Sequence, residues 1–358
     1  MSIIEENLMS KLNFGIVGAG AIAHSCCKAI NDHPEARVLA ASDPNEERLQ
    51  GLKEKNNITN TYATNEELFG DAELDAVYIA VPNKFHAPLA IAALNAGKHV
   101  ILDKPFALSY AEAKEVAYVA AANGKTFTVG MNQRFTPGVQ QARSLIKQGD
   151  LGEVYHAKSF WFRRKGIPKF GTWFCRKDMA GGGVMLDIGV HLLDATLYVL
   201  DNFEPVSVTG QTYTKFGDRG LGEGGWGMSD AKEQVFDVDD FSTALIKFKN
   251  GASVSLDVSW AIHQKESNKM DIQIYGTEGG MLCYGQEKFN YGEGSSYSVQ
   301  QGLNGKKEFE HGDRFHNFIN HILGKEELCN PIEQALVIQK ILDGIYESSK
   351  TGNEVKLD

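Results

Sequence analysis

Phe14-Gly-Ile-Val-Gly18-Ala-Gly20-Ala21-Ile22-Ala23 decides the reading of this chain, with Asp43 lying 20 residues past Ala23. Phe14–Val17 is an apolar, strand-like run, and Ile22–Asn31 is helix-like. A G-x-G-x-x-A set between a strand and a helix has the chemistry of a phosphate-binding turn in a dinucleotide fold. Gly18 allows the tight turn, Gly20 lets backbone amides approach a pyrophosphate, and Ala23 lets the helix pack closely on the strand. The helix N-terminus, with Ala21 and Ile22 in its first turn, then faces the phosphates. Asp43 is placed to accept hydrogen bonds from a ribose 2′-hydroxyl, and its charge would repel a 2′-phosphate. Pro44 follows it, with no arginine immediately after to hold such a phosphate. NAD is therefore expected in preference to NADP. The competing reading of the glycines is a tight turn in some other α/β protein.

Outward from this turn, strand-like and helix-like stretches alternate. Strands are expected at Phe14–Val17, Arg37–Ser42, Ala76–Val81, His99–Leu102 and Thr126–Gly130, and helices at Ile22–Asn31, Asn45–Lys55, Phe85–Ala96 and Tyr110–Asn123. Most of these strands are continuous apolar runs, as in a parallel sheet covered on both faces. Gly97 and Gly124 suit helix C-terminal caps. After about residue 135 the pattern changes. Val206–Thr214, Phe241–Lys249, Ser253–Trp260 and Asp271–Tyr275 alternate with period two, and Asn250-Gly251 signals a hairpin. This predicts a mainly antiparallel sheet with helices on one side. Two late helices are expected near Phe315–Leu323 and Pro331–Ser349, the second with Asn330 as N-cap. Lys215–Lys232 is glycine-rich and reads as a long loop.

The chain has 358 residues, enough for two domains, and ordinary globular composition at 42% hydrophobic and 23% charged. A net charge of −10 argues against a nucleic-acid partner. No apolar run has the length of a membrane span; the best candidate, Val190–Leu200, is short and carries His191 and Asp194. The start, with Glu5 and Glu6, has no signal-peptide pattern, so a cytoplasmic location is the expectation. Five cysteines without C-x-x-C spacing make a disulfide framework or structural zinc site unexpected, and Cys26 and Cys27 read as buried helix residues.

Ligands of an open parallel sheet bind beyond the carboxyl ends of its strands. Gly18–Gly20, Asp43, Pro82-Asn83, Asp103-Lys104-Pro105 and Asn132–Arg134 should therefore share one rim, and Pro82, Asn83, His86, Asn132 and Arg134 become candidate cofactor contacts with the glycine turn. His86 is equally read as filling a helix start. Lys104, held by the stiff proline after it, could donate a proton or bind an oxyanion, or be a surface lysine in a turn. A second cluster is Gly181-Gly182-Gly183 followed by Asp187 and His191, which are spaced i, i+4 and share a helix face. The glycines give the backbone room to pass close to a ligand, and a histidine can take a proton from an alcohol. The competing reading is a helix cap and a core histidine.

The fingerprint, Asp103-Lys104-Pro105 and Gly181–His191 occur in order and at domain-scale spacing. Together they resemble the Gfo/Idh/MocA family of oxidoreductases, and Asp237-Val238-Asp239-Asp240-Phe241 and the hairpin ending at Trp260 add to the likeness. The family pattern usually reads Glu-Lys-Pro, so Asp103 is a departure that leaves the lysine in place. The resemblance implies an α/β architecture: a Rossmann NAD-binding domain over 1–135, then an α+β substrate-binding and oligomerisation domain over 136–358 with a large open-faced sheet. It implies Lys104, Asp187 and His191 as the catalytic set, no metal, and a cis bond between Lys104 and Pro105. The expected reaction is NAD-dependent oxidation or reduction of a secondary alcohol or ketone on a sugar, cyclitol or glycoside. In it His191 is the general base, Lys104 binds the reacting oxygen and Asp187 orients the substrate. Oxidation should then rise with pH through a histidine-like pKa displaced by Lys104. Arg163 and Trp173 are candidate substrate contacts, with sheet packing as the other reading. A homodimer or homotetramer is expected, since an open sheet face needs covering.

Two other readings compete, and the same residues would serve the first of them. A relative that keeps its nicotinamide bound can use transient oxidation to drive elimination and cleave a glycoside. A non-catalytic nucleotide sensor would need no proton-handling set, which Lys104, Asp187 and His191 together supply. Asp187, His191 and His263 as ligands of a metal-dependent enzyme form no compact motif.

Overall fold

The computed structural model describes residues 11–228, 234–292 and 296–357; Glu5, Glu6 and the end of the Lys215–Lys232 loop lie outside them. Six strands form the first sheet: β1 Leu12–Val17, β2 Ala36–Ser42, β3 Asn60–Tyr62, β4 Ala76–Ile79, β5 His99–Leu102 and β6 Phe127–Val129. Their order is β3-β2-β1-β4-β5-β6, and each neighbouring pair is parallel. This is the Rossmann arrangement, with the strand order reversing beside β1. Helices Ala21–Asn31, Glu46–Asn56, His86–Asn95 and Tyr110–Ala122 make the crossovers. Gly97 and Gly124 take positive φ of 77° and 61° at the ends of two of them, as their positions predict. Sequence reading passes over β3, three half-buried residues with no apolar run, and the short helix Asn65–Phe69 that follows it.

The second sheet has nine strands: β7 Val154–Arg163, β8 Pro205–Tyr213, β9 Phe241–Phe248, β10 Ser253–Ser259, β11 Asn268–Gly276, β12 Gly280–Leu282, β13 Glu287–Tyr291, β14 Tyr297–Gln301 and β15 Val355–Lys356. They run in the order β14-β13-β12-β11-β7-β10-β9-β8-β15. The β7–β10 pair is parallel and the others are antiparallel. Gly251, at φ 88°, turns β9 into β10 where Asn250-Gly251 predicts a hairpin. Helices Val190–Leu200 and Ile332–Thr351 cover one face; Ser159 of β7 bonds Thr196 of the first at 2.6 Å. The other face carries an aromatic row, Phe160, Phe162, Phe241 and Tyr213, with ring centroids 5.7, 6.3 and 5.8 Å apart. Leu245 beside it is 40% exposed.

The two halves interlock. Helix Arg314–Ile322 comes late in the chain but packs on the first domain: Phe315, Phe318 and Ile319 share a core cluster with Phe14, Ile16 and Ile30. Asn330 does not cap the last helix. Its side-chain amide donates to the Val129 carbonyl at 2.7 Å, and Pro331 occupies the cap position. The expectation that no segment has span length also changes. Lys177–Leu200 is long and apolar enough to cross a membrane, with mean hydropathy of 1.5 over its most apolar 18 residues, but 89% of that 18-residue window is buried inside the protein. It is the central core helix, bent at Gly181–Gly183.

Candidate active site

The glycine turn forms an empty-handed helix start. Gly18 has φ +97°, and a Cβ there would sit 2.4 Å from the Ala80 carbonyl oxygen, so only glycine closes the turn. Gly20 is the N-cap of helix Ala21–Asn31 and supplies no side-chain cap. A Cβ on Gly20 would meet nothing within 4 Å. Ala21 is exposed and Ile22 is 45% exposed beside these free amides. Uncapped N–H groups, the positive end of a helix dipole and an open approach suit a pyrophosphate. Asp43 stands at the end of β2, its carboxylate fixed by Ala19 N–H and Asn45 N–H at 2.7 Å each. The arrangement fits a dinucleotide.

Lys104, Asp187 and His191 are brought to the same rim. The Lys104–Pro105 bond is cis, as the resemblance implies. Lys104 Nζ donates to Asp187 Oδ1 at 2.8 Å and to the Asp187 carbonyl at 2.9 Å. The second carboxylate oxygen, Oδ2, accepts from Trp260 Nε1 at 2.8 Å. Burial opposes the charge on Asp187, but Lys104 holds its carboxyl below the usual carboxylate range. Both carboxylate oxygens are thereby engaged, one by the lysine and one by the indole. Asp187 and His191 are joined by an unexpected element: Met185–Gly189 is a π-turn closed by Val190 N–H to the Met185 carbonyl. Such turns recur at functional sites because they rotate side chains out of α-helical register.

His191 Nδ1 is buried without a hydrogen-bond partner. Burial, and next the charge of Lys104, push the imidazole down from 6.5 to about 3. The ring is neutral throughout the ordinary working range, so the rise of oxidation with pH expected from a histidine near its usual value is displaced far to acid. A neutral imidazole with an unsatisfied nitrogen is prepared to accept a proton.

The triple glycine meets protein groups as well as the site. A Cβ on Gly183 would sit 1.9 Å from the Asp239 carbonyl oxygen, and one on Gly182 would sit 2.2 Å from the Tyr346 hydroxyl. The backbone thus passes close to these protein groups, and Gly182 and Gly183 also line the small cavity beside Lys104 and Asp187. Asp239, buried, accepts from Gly183 N–H at 2.7 Å, Met185 N–H at 3.0 Å and Tyr346 Oη at 2.8 Å. It caps the start of the helical run that carries Asp187 and His191 from 52 residues downstream of Asp187. Asp240 similarly gathers the N–H groups of Lys215, Phe216 and Gly217.

Several expected contacts need correction. Arg134 does not reach the rim. It is fully buried, pairs with Asp194 through Nη2 at 2.6 Å and Nε at 2.9 Å, and also bonds the Cys329 carbonyl. It anchors helix Val190–Leu200. His86 is also buried, with its ring nitrogens 2.7 Å from the Pro105 carbonyl and 2.9 Å from the Val81 carbonyl. It braces the Lys104-Pro105 turn and has no free nitrogen for a cofactor. Asn83 lines the small cavity beside Lys104, but its amide donates to the Ala180 carbonyl at 2.8 Å and ties the two domains together. Pro82 stays half-buried and Asn132 exposed at the rim. Trp173 stacks on Phe174 at 3.8 Å, and it is Phe174 that lines the cavity with Lys104 and Asp187. Arg163 needs no such correction: it lies over the Trp161 ring at 4.8 Å, on the sheet face that carries the helices, near enough to Asp187 for its charge to help hold that carboxyl low. Among the described residues no three His, Cys, Asp or Glu side chains converge as a metal site. Sequence reasoning missed Trp260, Asp239, Tyr346 and Phe174 as site-building residues.

Residues 12–131 match the family described as "Oxidoreductase family, NAD-binding Rossmann fold", and residues 139–282 match the "GFO/IDH/MocA C-terminal domain". The chain is 30% identical over 357 residues to D-glucoside 3-dehydrogenase of Escherichia coli (strain K12), covering 97% of this chain and 98% of that one. It is 29% identical over 306 residues to levoglucosan dehydrogenase of Pseudarthrobacter phenanthrenivorans, covering 79% and 74%. A crystal structure of an NAD-binding protein from Listeria innocua aligns with TM-score 0.81 at 25% identity, covering 97% of each chain. Levoglucosan dehydrogenase in complex with NADH and levoglucosan shares the fold with TM-score 0.81 at 23% identity, covering 97% of this chain and all of that one. This chain belongs to the Gfo/Idh/MocA family and is an NAD-dependent oxidoreductase.

Proposed function

We propose that the protein oxidises a ring secondary alcohol of a sugar or glycoside, reversibly, with NAD preferred over NADP. The observation that carries this reading is the meeting of Lys104, Asp187 and the neutral, unsatisfied His191 at the rim beside the uncapped helix start at Gly20. The relatives named for glucoside and levoglucosan dehydrogenation support a carbohydrate substrate. The nicotinamide, when bound, accepts the hydride. His191 takes the hydroxyl proton. Lys104, aimed by Asp187, donates a hydrogen bond to the reacting oxygen, and Trp260 fixes Asp187. Phe174, with Trp173 stacked behind it, offers an apolar wall, and Arg163 and Trp161 a polar one. Asp43 would take the ribose hydroxyls.

The test is a panel of glucosides, anhydrosugars and polyols with NAD and with NADP, read by nicotinamide absorbance and product mass. A keto-sugar with stoichiometric NADH supports the reading; no turnover of any carbohydrate would sink it. A relative named 2,7-anhydro-N-acetylneuraminate hydratase, 28% identical over 281 residues, favours a second reading, transient oxidation followed by elimination. Product formation without lasting NADH marks that case. We also propose that a second copy covers the aromatic row Phe160, Phe162, Phe241 and Tyr213. Light scattering should report a dimer or larger, and Leu245→Lys should weaken it.

A further inference from the structure

Asp103, the neighbour of Lys104, is paired with a residue that comes 211 positions later in the chain. Arg314 opens the helix that folds back onto the first domain, and Asp313 caps that helix by accepting from Phe315 N–H at 2.6 Å. Its guanidinium runs beneath the carboxyl ends of three adjacent strands. Nη1 donates to Asp103 Oδ1, past β5, at 3.1 Å, and to the Gly130 carbonyl past β6. Nη2 donates to the Tyr78 hydroxyl of β4 at 3.2 Å. A Cβ on Gly130 would sit 2.6 Å from Nη1, so the chain keeps a glycine where the arginine passes. The Arg314 and Asp103 side chains are only 12% and 19% exposed.

We propose that Arg314 is a positioning residue for Lys104, acting through Asp103; this rests on the assignment of Lys104 to the reacting oxygen. The argument is one of competition. Asp103 is the residue before Lys104, and its carboxylate feels both cations: burial opposes its charge, while Arg314 first and Lys104 next hold its carboxyl below the usual range. Arg314 occupies Asp103 with a hydrogen-bonded ion pair. The Lys104 ammonium is thereby left to Asp187, which points it across the rim. Without the guanidinium, Asp103 becomes a second, buried and unpaired acceptor beside the lysine. His86, on the Pro105 carbonyl, holds the other end of the same three-residue turn.

The test uses Arg314→Lys, Asp103→Glu and the double variant Asp103→Glu/Arg314→Lys, with Asp103→Asn as a milder variant should the arginine change fail to fold. Lysine lacks the fork and reaches less far than arginine; glutamate reaches further than aspartate and can restore the pair. The first readout needs no substrate: acylation of Lys104 in the purified protein across a pH series, followed by mass spectrometry. In Arg314→Lys the pH of half-reaction of Lys104 should move upward by about half a unit, because an opposite charge nearby favours the ammonium. NADH affinity, read by fluorescence, should stay within about twofold, because Arg314 lies beneath the rim and not on the phosphates. On any sugar that is turned over, kcat should fall by about tenfold with KM little changed, as for an effect confined to the transition state. The double variant should regain most of both losses, and Asp103→Asn should move Lys104 the other way. Lys104 reactivity that superimposes on wild type in every variant would overturn the proposal, whether or not a substrate has been found. So would a double variant that recovers folding stability but neither Lys104 reactivity nor kcat.

Discussion

The glycine turn and the Lys104–Asp187–His191 cluster lie on the same rim, yet they are built in opposite ways. The turn is local. Gly18, Gly20 and Ala23 act within one strand–turn–helix unit, and Gly20 is surrounded by open space. The cluster is assembled from afar. Asp187 is fixed by Lys104 from the first domain and by Trp260 at the end of β10, and its helix is capped by Asp239. In the first region Gly20 can be changed at a ligand's expense alone, while Gly18 is held to glycine by its φ and by the Ala80 carbonyl. In the second, chemistry and folding share the same atoms. The contrast predicts which substitutions act on function and which on stability.

The largest effect belongs to the proton-handling residues. His191→Ala should lower kcat by about 10²–10⁴-fold, the range for lost acid–base catalysis. NADH affinity should hold, since the glycine turn is untouched. Lys104→Ala should impair the same step, and the double variant should lose less than the product of the two, because both groups act on one proton. Near-normal turnover by His191→Ala would transfer the base to Lys104 or Asp187 and erase the division of labour between the two regions.

Next come the glycines, where the comparison is sharpest. Gly183→Ala forces a Cβ onto the Asp239 backbone at 1.9 Å. It should destabilise the protein by roughly 3 kcal/mol, at the upper end of overpacking costs. Gly20→Ala meets nothing within 4 Å and should leave the melting temperature within about a degree or two, while weakening NADH binding by narrowing the approach to the helix start. Calorimetry and nicotinamide fluorescence on the two proteins separate these outcomes. Equal losses of stability would mean the turn is not a free-standing device.

These two glycine motifs also mark how far the sequence could be read. Most strands of the first sheet, the fingerprint and the place of Asp43 were legible, because each rests on local chain geometry or on a short, spaced motif, while the gathering of Lys104 with Asp187 and His191 came from the family resemblance and not from spacing alone. Arg134 and His86 were misassigned for one reason: a side chain placed at a rim by spacing can turn inward once a distant partner offers a better bond. Asp194 did so for Arg134, and the Pro105 and Val81 carbonyls did so for His86. Trp260 and Asp239 were quoted as part of a resemblance, but their contacts with the site are long-range and have no sequence signal. The π-turn at Met185–Gly189 is invisible for the same reason, since it arises from packing and not from residue type.

Acid should act on the half-buried histidines of this fold. His191 lies near 3, lowered by burial and then Lys104, and His99 near 4, lowered by burial and then Lys125, both from 6.5. Below 6.5 the unfolded chain takes up protons that the folded protein refuses. Stability should therefore fall as pH drops from about 6.5 toward 4. At pH 5 the difference of 1.5 units is about 2 kcal/mol for His191, as an order of magnitude, and less for His99, whose charge is better screened by solvent. Urea unfolding at pH 7.5 and pH 5 should show the loss, and His191→Gln should show about 2 kcal/mol less of it. A variant as acid-sensitive as wild type would mean that His191 is not desolvated, and that the catalytic cluster is as open as the glycine turn.

The smallest effect tests the open region by charge alone. Asp43 faces the expected ribose with both oxygens already fixed by Ala19 N–H and Asn45 N–H. Its charge, near a 2′-phosphate in a solvent-rich setting, is worth about 1 kcal/mol at 4 Å. Asp43→Ser removes the charge while its hydroxyl can still accept one of the two backbone bonds. The ratio of NADP to NAD dissociation constants should drop by about fivefold, mostly through weaker NAD binding and less repulsion of NADP. Melting temperature should change little, because one backbone acceptor is kept and the site is half-exposed. Titration of both dinucleotides by calorimetry checks this. A wild-type protein that binds NADP as tightly as NAD would remove the premise. A large loss of stability in Asp43→Ser would mean that the bond to Ala19 N–H holds the turn itself, so that even this region shares atoms between folding and function.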